Sequence, residues 1–405
     1  MKKTVSFTIL ALSLGLLAAC GETPTSPLVV SKLFTAGSQR NNVIELYNPS
    51  IETIDLAQYS LRFYTNGSAD VTAEIPLEGT VQPESYFAIG SSNNSLSEVL
   101  AQLDFTYADG SLPYNGNDAF ELTYKKTIID LLGSKGMDVN YSGNVTLIRL
   151  GDKADYVPSP TFDSFNFINY LPDLFDYLKN DTYEIKTLDQ LYAGPSLDDR
   201  YKNASFVDSN NTSIGGGGAV LTTNTGIADG DTAYFAATGQ FSGGSVRYFY
   251  INTPEVQSPY VNAEPWGYVA SKYNKNYILN SPSSKEIYIQ SMSGGALREV
   301  NGRYLALVWV NGALSQFLTV AEGLSEDVAI SFSATDLAMN YKEIPYLTFL
   351  QFAEHRAKVN GWGTKGYPSN PEGEKSPDWN YSANGGVGAN STTEPVWTPH
   401  LPMPW

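Results

Sequence analysis

Three short stretches of the sequence carry the side chains best suited to chemistry. They are DGDT (229–232), RYFYINTPE (247–255) and NGRYLA (301–306), and together they supply carboxylates, amide and carbonyl oxygens and two arginines. The 405 residues include only two histidines and one cysteine, so neither a Ser-His-Asp mechanism nor a histidine or cysteine zinc site is expected. Each stretch alone is typical of a hairpin turn or a surface charge. Any catalysis therefore depends on carboxylates and arginines acting together.

In their order and spacing, these stretches resemble the staphylococcal-nuclease (thermonuclease-like) family. That family shows Asp-Gly-Asp-Thr, then Arg before Asp-Thr-Pro-Glu, then Tyr-Gly-Arg. Two helical segments agree with it, EPWGYVASKYNKNYI between the second and third stretches and FLQFAEHRAKVNGWG after them. The resemblance covers residues 222–365. It implies an OB-type five-stranded β-barrel with about three α-helices, an α+β domain, and a calcium-assisted phosphodiesterase site.

The chemistry of phosphodiester hydrolysis explains these residue types. The reaction adds negative charge at phosphorus, and the forked guanidiniums of Arg247 and Arg303 can clamp the non-bridging oxygens. Glu255, held by Pro254, would orient or deprotonate the attacking water. We therefore expect Arg247, Glu255 and Arg303 to be the catalytic residues.

The resemblance also implies a Ca²⁺ site that neutralises and polarises the phosphate. Its expected ligands are Asp231, the amide oxygen of Asn252 and the carbonyl oxygen of Thr253, and Asp229 is expected near the metal without binding it. Asn252 stands where the family has an aspartate. Because an amide carries one negative charge less, we expect weaker calcium binding than in the family.

The positions that hold the nucleotide in this family also differ. Val300 and Asn301 replace a Lys-Tyr pair, and Ile330 and Phe332 replace two tyrosines. Phe332 can still stack on a base, which Ile330 does poorly. We expect Phe332 to contact nucleic acid, and nucleotide affinity to be affected more than the catalytic residues.

The first half of the chain has the pattern of an antiparallel sandwich. Short β-branched and aromatic runs, such as LVVSKLF, YSLRFYT and AFELTYK, alternate with polar turns. The segments VIELYNPSIETIDLAQYSL, YFAIGS, GNDAFELTY and IIDLLGS resemble the lamin-tail domain, an immunoglobulin-like β-sandwich, over residues 27–190. That family implies a binding or positioning module without chemistry of its own, and its partner stays unknown.

Two polar segments flank the nuclease-like region. Residues 191–221 contain four consecutive glycines from Gly215 to Gly218, so we expect a flexible linker, with a structured glycine loop as the alternative. Residues 366–405 are rich in Pro, Gly, Asn and Trp without periodicity. We expect an extended tail that either packs on the surface through Trp379, Trp397 and Trp405 or is disordered.

The N-terminus has the pattern of an export signal. Residues 1–19 join two lysines to an apolar stretch too short to be a stable membrane span. The small residues before Cys20 resemble a bacterial lipobox. This resemblance implies that Cys20 is lipidated, followed by a tether over residues 20–26, and anchors the chain to the membrane at the bacterial cell surface. The alternative is an ordinary signal peptide with a chance cysteine.

The net charge of the chain and its distribution bear on whether the protein can bind nucleic acid. The net charge of −17 repels anionic polymers at long range, but residues 220–365 hold 10 Lys and Arg against 12 Asp and Glu. We expect a mainly β, multidomain, lipid-anchored nuclease that cleaves DNA or RNA. One alternative is a weakened nuclease domain that binds nucleic acid or a surface polymer, favoured by Asn252, Val300 and Asn301. The other is an adhesive lipoprotein in which both domains are scaffolds.

Overall fold

The computed structural model describes residues 28–280 and 285–367, and in the tail residues 369–370, 372–373, 375–377, 379, 392–393 and 395–405. The expected signal peptide, the lipidation residue Cys20 and the tether lie outside the described residues. Within the described ranges, no helix combines the length and the apolar character needed to cross a membrane.

The first half of the chain folds into a β-sandwich. In chain order its strands are β1 (Val29–Phe34), β2 (Val43–Tyr47), β3 (Ile54–Asp55), β4 (Tyr59–Tyr64), β5 (Ala73–Pro76), β6 (Thr80–Val81), β7 (Tyr86–Ser91), β8 (Phe105–Tyr107), β9 (Ala119–Tyr124), β10 (Thr127–Leu132), β11 (Thr146–Arg149) and β12 (Phe167–Tyr170). One sheet has the order β12-β11-β1-β2-β7-β8, the other has the order β10-β9-β4-β5, and β3 pairs with β6. This arrangement agrees with the strand pattern of the sequence.

The sandwich is stabilised on both faces of its larger sheet. Leu46, Phe63 and Phe120 are fully buried between the two sheets, because alternate residues of a strand point to the same face. On the other face Phe34 is buried with Leu178, which follows β12 in the chain. Strands β1 and β2 are therefore buried along their whole length, and their polar residues Ser31 and Lys32 pair with Glu45.

The second half of the chain forms the barrel. Its strands are β13 (Ala219–Thr222), β14 (Asn224–Ile227), β15 (Thr232–Phe235), β16 (Gly244–Tyr248), β17 (Ile287–Ser291), β18 (Tyr304–Val310), β19 (Ala313–Leu314), β20 (Asn340–Tyr341) and β21 (Ile344–Pro345). The sheet order is β13-β17-β18-β16-β15-β14, with β19 folded back on β18. The fold class is the one expected. Its sheet has seven strands, because β19 folds back on β18 and β13 joins the edge from the segment expected to be a linker, while β20 and β21 pair separately.

The barrel carries the three longer helical segments that the sequence predicts. The helices are α1 (Ser97–Leu100), α2 (Leu188–Tyr192), α3 (Asp199–Lys202), α4 (Gly267–Lys272), α5 (Ser315–Ala321), α6 (Ala334–Ala338) and α7 (Tyr346–Asn360), and α4 continues as a π-helix over Tyr273–Leu279. Single 3₁₀ turns lie at Gln39–Asn41, Leu56–Gln58, Thr65–Gly67, Lys153–Asp155, Ser164–Asn166, Phe175–Tyr177 and Gly363–Lys365. Helix α5 packs against α7 and β18, so these helices cover the barrel.

Residues 191–221 differ from the expected flexible linker. They include α3 and β13, and the ring of Phe206 packs against Phe241 of the barrel at 5.8 Å. The glycine run lies against neighbouring backbone, since a methyl group at Gly218 would lie 2.2 Å from the carbonyl oxygen of Ala204. Glycine is needed both in flexible segments and where two backbones approach closely. Composition alone does not distinguish a flexible linker from a closely packed loop.

One apolar cluster spans the sandwich and the barrel. Ile168 and Tyr170 of β12 belong to the same buried cluster as Trp309 of the barrel. The backbone amide of Leu171 donates to the carbonyl oxygen of Glu343 at 2.8 Å. The two domains are therefore packed directly against each other.

The described part of the tail packs on the barrel. The ring of Trp379 lies 5.4 Å from that of Trp266, and Trp397 contacts Tyr273 edge-on at 5.7 Å. The carboxylate of the buried Glu322 accepts hydrogen bonds from the backbone amides of residues 400 and 401, both at 2.9 Å. These residues of the tail are packed on the surface, which is the first of the two expectations.

Candidate active site

Strand pairing brings the three chemical stretches together. Thr232 of β15 lies opposite Arg247 of β16. Strand β16 runs parallel to β18, with Arg247 opposite Leu305, and Arg303 directly precedes β18. DGDT, RYFYINTPE and NGRYLA therefore meet along three adjacent strands, as their chemistry requires.

Asp231 is buried at the centre of the site. Its Oδ2 accepts hydrogen bonds from the backbone amide of Thr253 at 2.7 Å and from the Thr253 hydroxyl at 3.1 Å. Its Oδ1 accepts from the hydroxyl of Thr232 at 3.0 Å and from Nη1 of Arg247. Burial raises the pKa of Asp231 to about 6, against the opposing charge of Arg247. The carboxylate is thus fixed in direction by neighbours on both sides.

The guanidinium of Arg247 bridges two of the expected metal ligands. Nη1 donates to Asp231, and Nη2 donates to the amide oxygen of Asn252. The Arg247 side chain is still 17% exposed. A positive group therefore occupies the point where the oxygens of Asp231 and Asn252 converge.

The expected metal ligands of the site are of the chemical type that binds a hard cation. Carboxylate, amide and carbonyl oxygens are ligands that Ca²⁺ accepts, and the convergence of Asp231 and Asn252 on a guanidinium marks a point that accommodates positive charge. Across the described ranges, no group of three or more His, Cys, Asp or Glu side chains is arranged to hold a metal ion. A cation here would rely on Asn252 and on the carbonyl of Thr253 beside the single carboxylate of Asp231.

The backbone around Glu255 is tightly held. Its amide donates to the carboxylate of Glu264 at 2.8 Å, and its carbonyl oxygen accepts from the Glu264 amide at 2.9 Å. A methyl group at Gly267 would lie only 2.0 Å from that carbonyl oxygen. Partial burial and the charge of Asp231 raise the pKa of Glu255, which makes it a better proton acceptor near neutral pH.

Arg303 lies at the side of the site, near Thr232. Its Nε donates to the carboxylate of Glu299, and its Nη1 lies 3.5 Å from the hydroxyl of Thr232. The hydrogen bond from Arg303 lowers the pKa of Glu299. Glu299 is therefore ionised at neutral pH and orients a guanidinium that stays 32% exposed.

Asp229 supports the DGDT turn. Its Oδ1 accepts from the backbone amide of Asp231 at 3.1 Å, and its carbonyl oxygen accepts from Nδ2 of Asn274 at 2.9 Å. Burial raises the pKa of Asp229. Its position beside Asp231 is compatible with the supporting role that the resemblance implies.

Phe332 lies at the interface of the two domains. It packs against the apolar cores of both the barrel and the sandwich, and with Ile330 it lines a crevice beside Asn140 and Tyr141. The structure does not group it with the side chains expected to be catalytic, which β15, β16 and β18 bring together. A role for Phe332 in binding nucleic acid stays a prediction.

Three carboxylates that support the site were not expected. Glu264 holds Glu255 and Glu299 holds Arg303, as described above, and Glu326 accepts from Nδ2 of Asn252 at 2.5 Å. Glu299 lies four residues before Arg303, a spacing that could have suggested a pair. Glu326 lies 74 residues after Asn252, so local sequence offered no signal for it.

Comparison with known proteins agrees with this architecture. Residues 22–136 match the family model of the Lamin Tail Domain, and residues 245–362 match that of the Staphylococcal nuclease homologue. The chain therefore contains a lamin-tail domain followed by a staphylococcal-nuclease domain. The immunoglobulin-like and OB-type folds expected from the sequence are confirmed.

Two curated bacterial proteins are similar to part of the chain. Endonuclease YncB of Bacillus subtilis (strain 168) is 30% identical over 142 residues, which cover 35% of this chain and 61% of that protein. The SPbeta prophage-derived endonuclease YokF of the same organism is 35% identical over 97 residues, which cover 24% and 30%. The chain thus spans less than two thirds of either relative, and both relatives are named as endonucleases.

Proposed function

We propose that the chain is a nuclease that hydrolyses phosphodiester bonds of DNA, or of RNA, with the assistance of calcium. The observation that carries this proposal is the meeting of Arg247 and Arg303 beside the buried Asp231 in a staphylococcal-nuclease domain. The names of the two endonuclease relatives support the same reaction class.

In the proposed reaction, the two arginines bind the scissile phosphate from different sides. Arg303 keeps an exposed surface while Glu299 orients it. Arg247 contacts Asp231 and Asn252, and when those oxygens hold calcium its N–H donors would be free for phosphate oxygens. Charge stabilisation by one such group typically contributes about 3–4 kcal/mol to the transition state.

Glu255 is the proposed proton acceptor for the attacking water. Its raised pKa suits that task, and the paired contacts with Glu264 limit the movement of its backbone. A calcium ion held by Asp231, Asn252 and the carbonyl of Thr253 would supply positive charge that neutralises the phosphate. Asp231 keeps its direction through its bonds to Thr253.

The test is digestion of single-stranded DNA by the full chain in millimolar Ca²⁺ and in chelator, beside Arg303→Ala. We expect calcium-dependent cleavage by the wild type that falls by about 10²–10³-fold in Arg303→Ala. Absence of wild-type cleavage at every calcium concentration would contradict a nuclease, and cleavage no faster than that of Arg303→Ala would contradict the role of Arg303.

A second candidate function is nucleic-acid or surface-polymer binding without turnover. The observation that favours it is the engagement of Arg247 by both Asp231 and Asn252, together with a fully exposed Val300 at a position where the family has a nucleotide-binding residue. Retained binding of single-stranded DNA at low salt without cleavage would support this candidate over the nuclease.

We also propose that Cys20 is lipidated and anchors the chain to the membrane at the cell surface, where the sandwich would position the nuclease near a partner still to be identified. The small residues before Cys20 support this. The test is fractionation of cells expressing wild type and Cys20→Ala. Release of the variant into the medium is expected, and an equal distribution of both proteins would contradict the anchor.

A further inference from the structure

The amide of Asn252 lies between two groups that determine its orientation. Its oxygen accepts from Nη2 of Arg247, and its nitrogen donates to Oε2 of Glu326 at 2.5 Å. A guanidinium can only donate and an ionised carboxylate can only accept. The amide oxygen therefore faces Arg247, which also contacts Asp231, and the opposite orientation would set like groups against each other on both sides.

The segment that carries Glu326 is attached to the backbone of Asn252. The amide of Glu326 donates to the Asn252 carbonyl oxygen at 2.7 Å, and the amide of Asn252 donates to the hydroxyl of Ser325 at 3.3 Å. Ser325 is buried, and its carbonyl oxygen accepts from the hydroxyl of Thr364 at 2.9 Å. The carboxylate of Glu326 is thus delivered to Asn252 by a fixed piece of backbone.

We propose that Glu326 is a positioning residue for the cation site, which it serves in two ways. It holds the Asn252 amide with its oxygen directed toward the guanidinium that also contacts Asp231, and it supplies beside that amide the negative charge that a carboxylate at position 252 would carry. This inference rests on the proposed function. It makes Asn252 and Glu326 a matched pair that replaces the single aspartate of the family pattern.

Because of this pair, we expect that restoring the family's aspartate by Asn252→Asp alone does not improve the cation site. Asn252→Asp alone would place two carboxylates where a donor now meets an acceptor, so repulsion would turn the new carboxylate away from the site. Asn252→Asp with Glu326→Gln reverses the direction of the hydrogen bond, because the new amide can donate to the new carboxylate. The two substitutions together should therefore work where the first alone fails.

The experiment measures two properties of the full chain, for wild type and for Asn252→Asp, Glu326→Gln, Glu326→Ala and the double variant Asn252→Asp/Glu326→Gln. The first is the Tm in chelator. The second is the Kd for Ca²⁺ by titration calorimetry, with the calcium dependence of activity alongside. Asp327→Asn is the control, since it removes one negative charge at the next position, where Asp327 pairs with Lys358 and Lys365.

In chelator, we expect a lower Tm for Asn252→Asp and recovery in the double variant. We expect Glu326→Ala to weaken calcium binding about tenfold, a typical effect of losing a group that orients a metal ligand, with kcat at saturating calcium unchanged. Glu326→Gln keeps an acceptor and should lose less. The double variant should bind calcium more tightly than either single variant, and Asp327→Asn should bind it like wild type.

Additive effects of the two substitutions on Tm in chelator, or a calcium Kd unchanged in Glu326→Ala, would overturn the inference. A wild type that neither binds calcium nor cleaves DNA would overturn the proposed function. In that event the coupling measured in chelator still decides whether Glu326 and Asn252 act as a pair.

Discussion

Among the described residues, each domain contains an ion pair between a buried aspartate and an arginine, and the two pairs differ in what surrounds the arginine. In the sandwich, Asp130 and Arg149 are 2% and 5% exposed. In the barrel, Asp231 is just as buried, but Arg247 is 17% exposed. The same two residue types therefore serve an enclosed site in one domain and an accessible site in the other.

In the sandwich pair, backbone groups supply the other hydrogen-bond partners of both side chains. Besides its bond to Asp130, Arg149 donates from Nε to the carbonyl of Val30 at 2.8 Å and from Nη1 to the carbonyl of Val157 at 3.0 Å. Asp130 in turn accepts from the amides of Val30 and Ser159. The pair joins three segments of chain, and its hydrogen bonds all serve the fold.

The barrel pair is bonded mainly to other side chains of the site. Arg247 contacts Asp231 and the side chain of Asn252, an exposed residue that Glu326 orients. Since Asn252 lies at the surface, a ligand can compete for the guanidinium there. The two pairs therefore differ in access to the arginine, which is enclosed in the sandwich and partly exposed in the barrel.

The largest expected effect is on stability, in the sandwich. Arg149→Ala leaves Asp130 buried without its partner, which should lower the free energy of unfolding by about 3–5 kcal/mol. Chemical unfolding monitored by circular dichroism measures it. The exposed Arg40→Ala in the same domain should change it by less than about 0.5 kcal/mol. A similarly small change in Arg149→Ala would remove the contrast between the two pairs.

The next effect is on activity, in the barrel. Arg247→Lys keeps the charge but loses the fork that contacts Asp231 and phosphate, so kcat should fall by about 10²–10³-fold. Its Tm should stay close to that of wild type. Arg356→Lys, an equivalent change on α7, should leave the kcat for DNA cleavage unaffected. If Arg247→Lys instead lost stability and kept kcat, the barrel pair would be structural like that of the sandwich.

The smallest effect concerns the backbone that positions Glu255. In Gly267→Ala the new methyl group meets the carbonyl of Glu255, and the resulting shift should reduce kcat by up to about 10²-fold. In the sandwich, Gly37→Ala is the matched control, because an added methyl there meets no atom of the described residues within 4 Å. Steady-state kinetics of both variants test this, and equal kcat values would show that the Glu255 loop tolerates displacement.

Much of the architecture could be predicted from the sequence. The alternating apolar strands and ordered motifs identified both domains, and β15, β16 and β18 bring together Asp231, Arg247 and Arg303 as the motif order implied. These features follow from local periodicity and from strand pairing. The expected roles of the individual site residues stay predictions that the experiments above test.

Other features depended on packing between distant segments. The four glycines Gly215–Gly218 predict a flexible coil, because composition does not reveal the close backbone contacts around Gly218. Residue type predicts that Phe332 stacks on a base, and that role stays a prediction, but its packing against both domains could not be predicted. Neither outcome follows from the local sequence, because each depends on which surface lies opposite.

The sequence by itself determined the two domain types and the charged motifs of the barrel, because those depend on residue types at short spacings. Only the tertiary structure decided what the asparagine at position 252 means. Its amide acquires a direction and a neighbouring negative charge from Glu326, a residue that reaches it from another loop. A hydrogen bond between residues so far apart in the chain forms only when the whole domain is packed, and no local pattern encodes it.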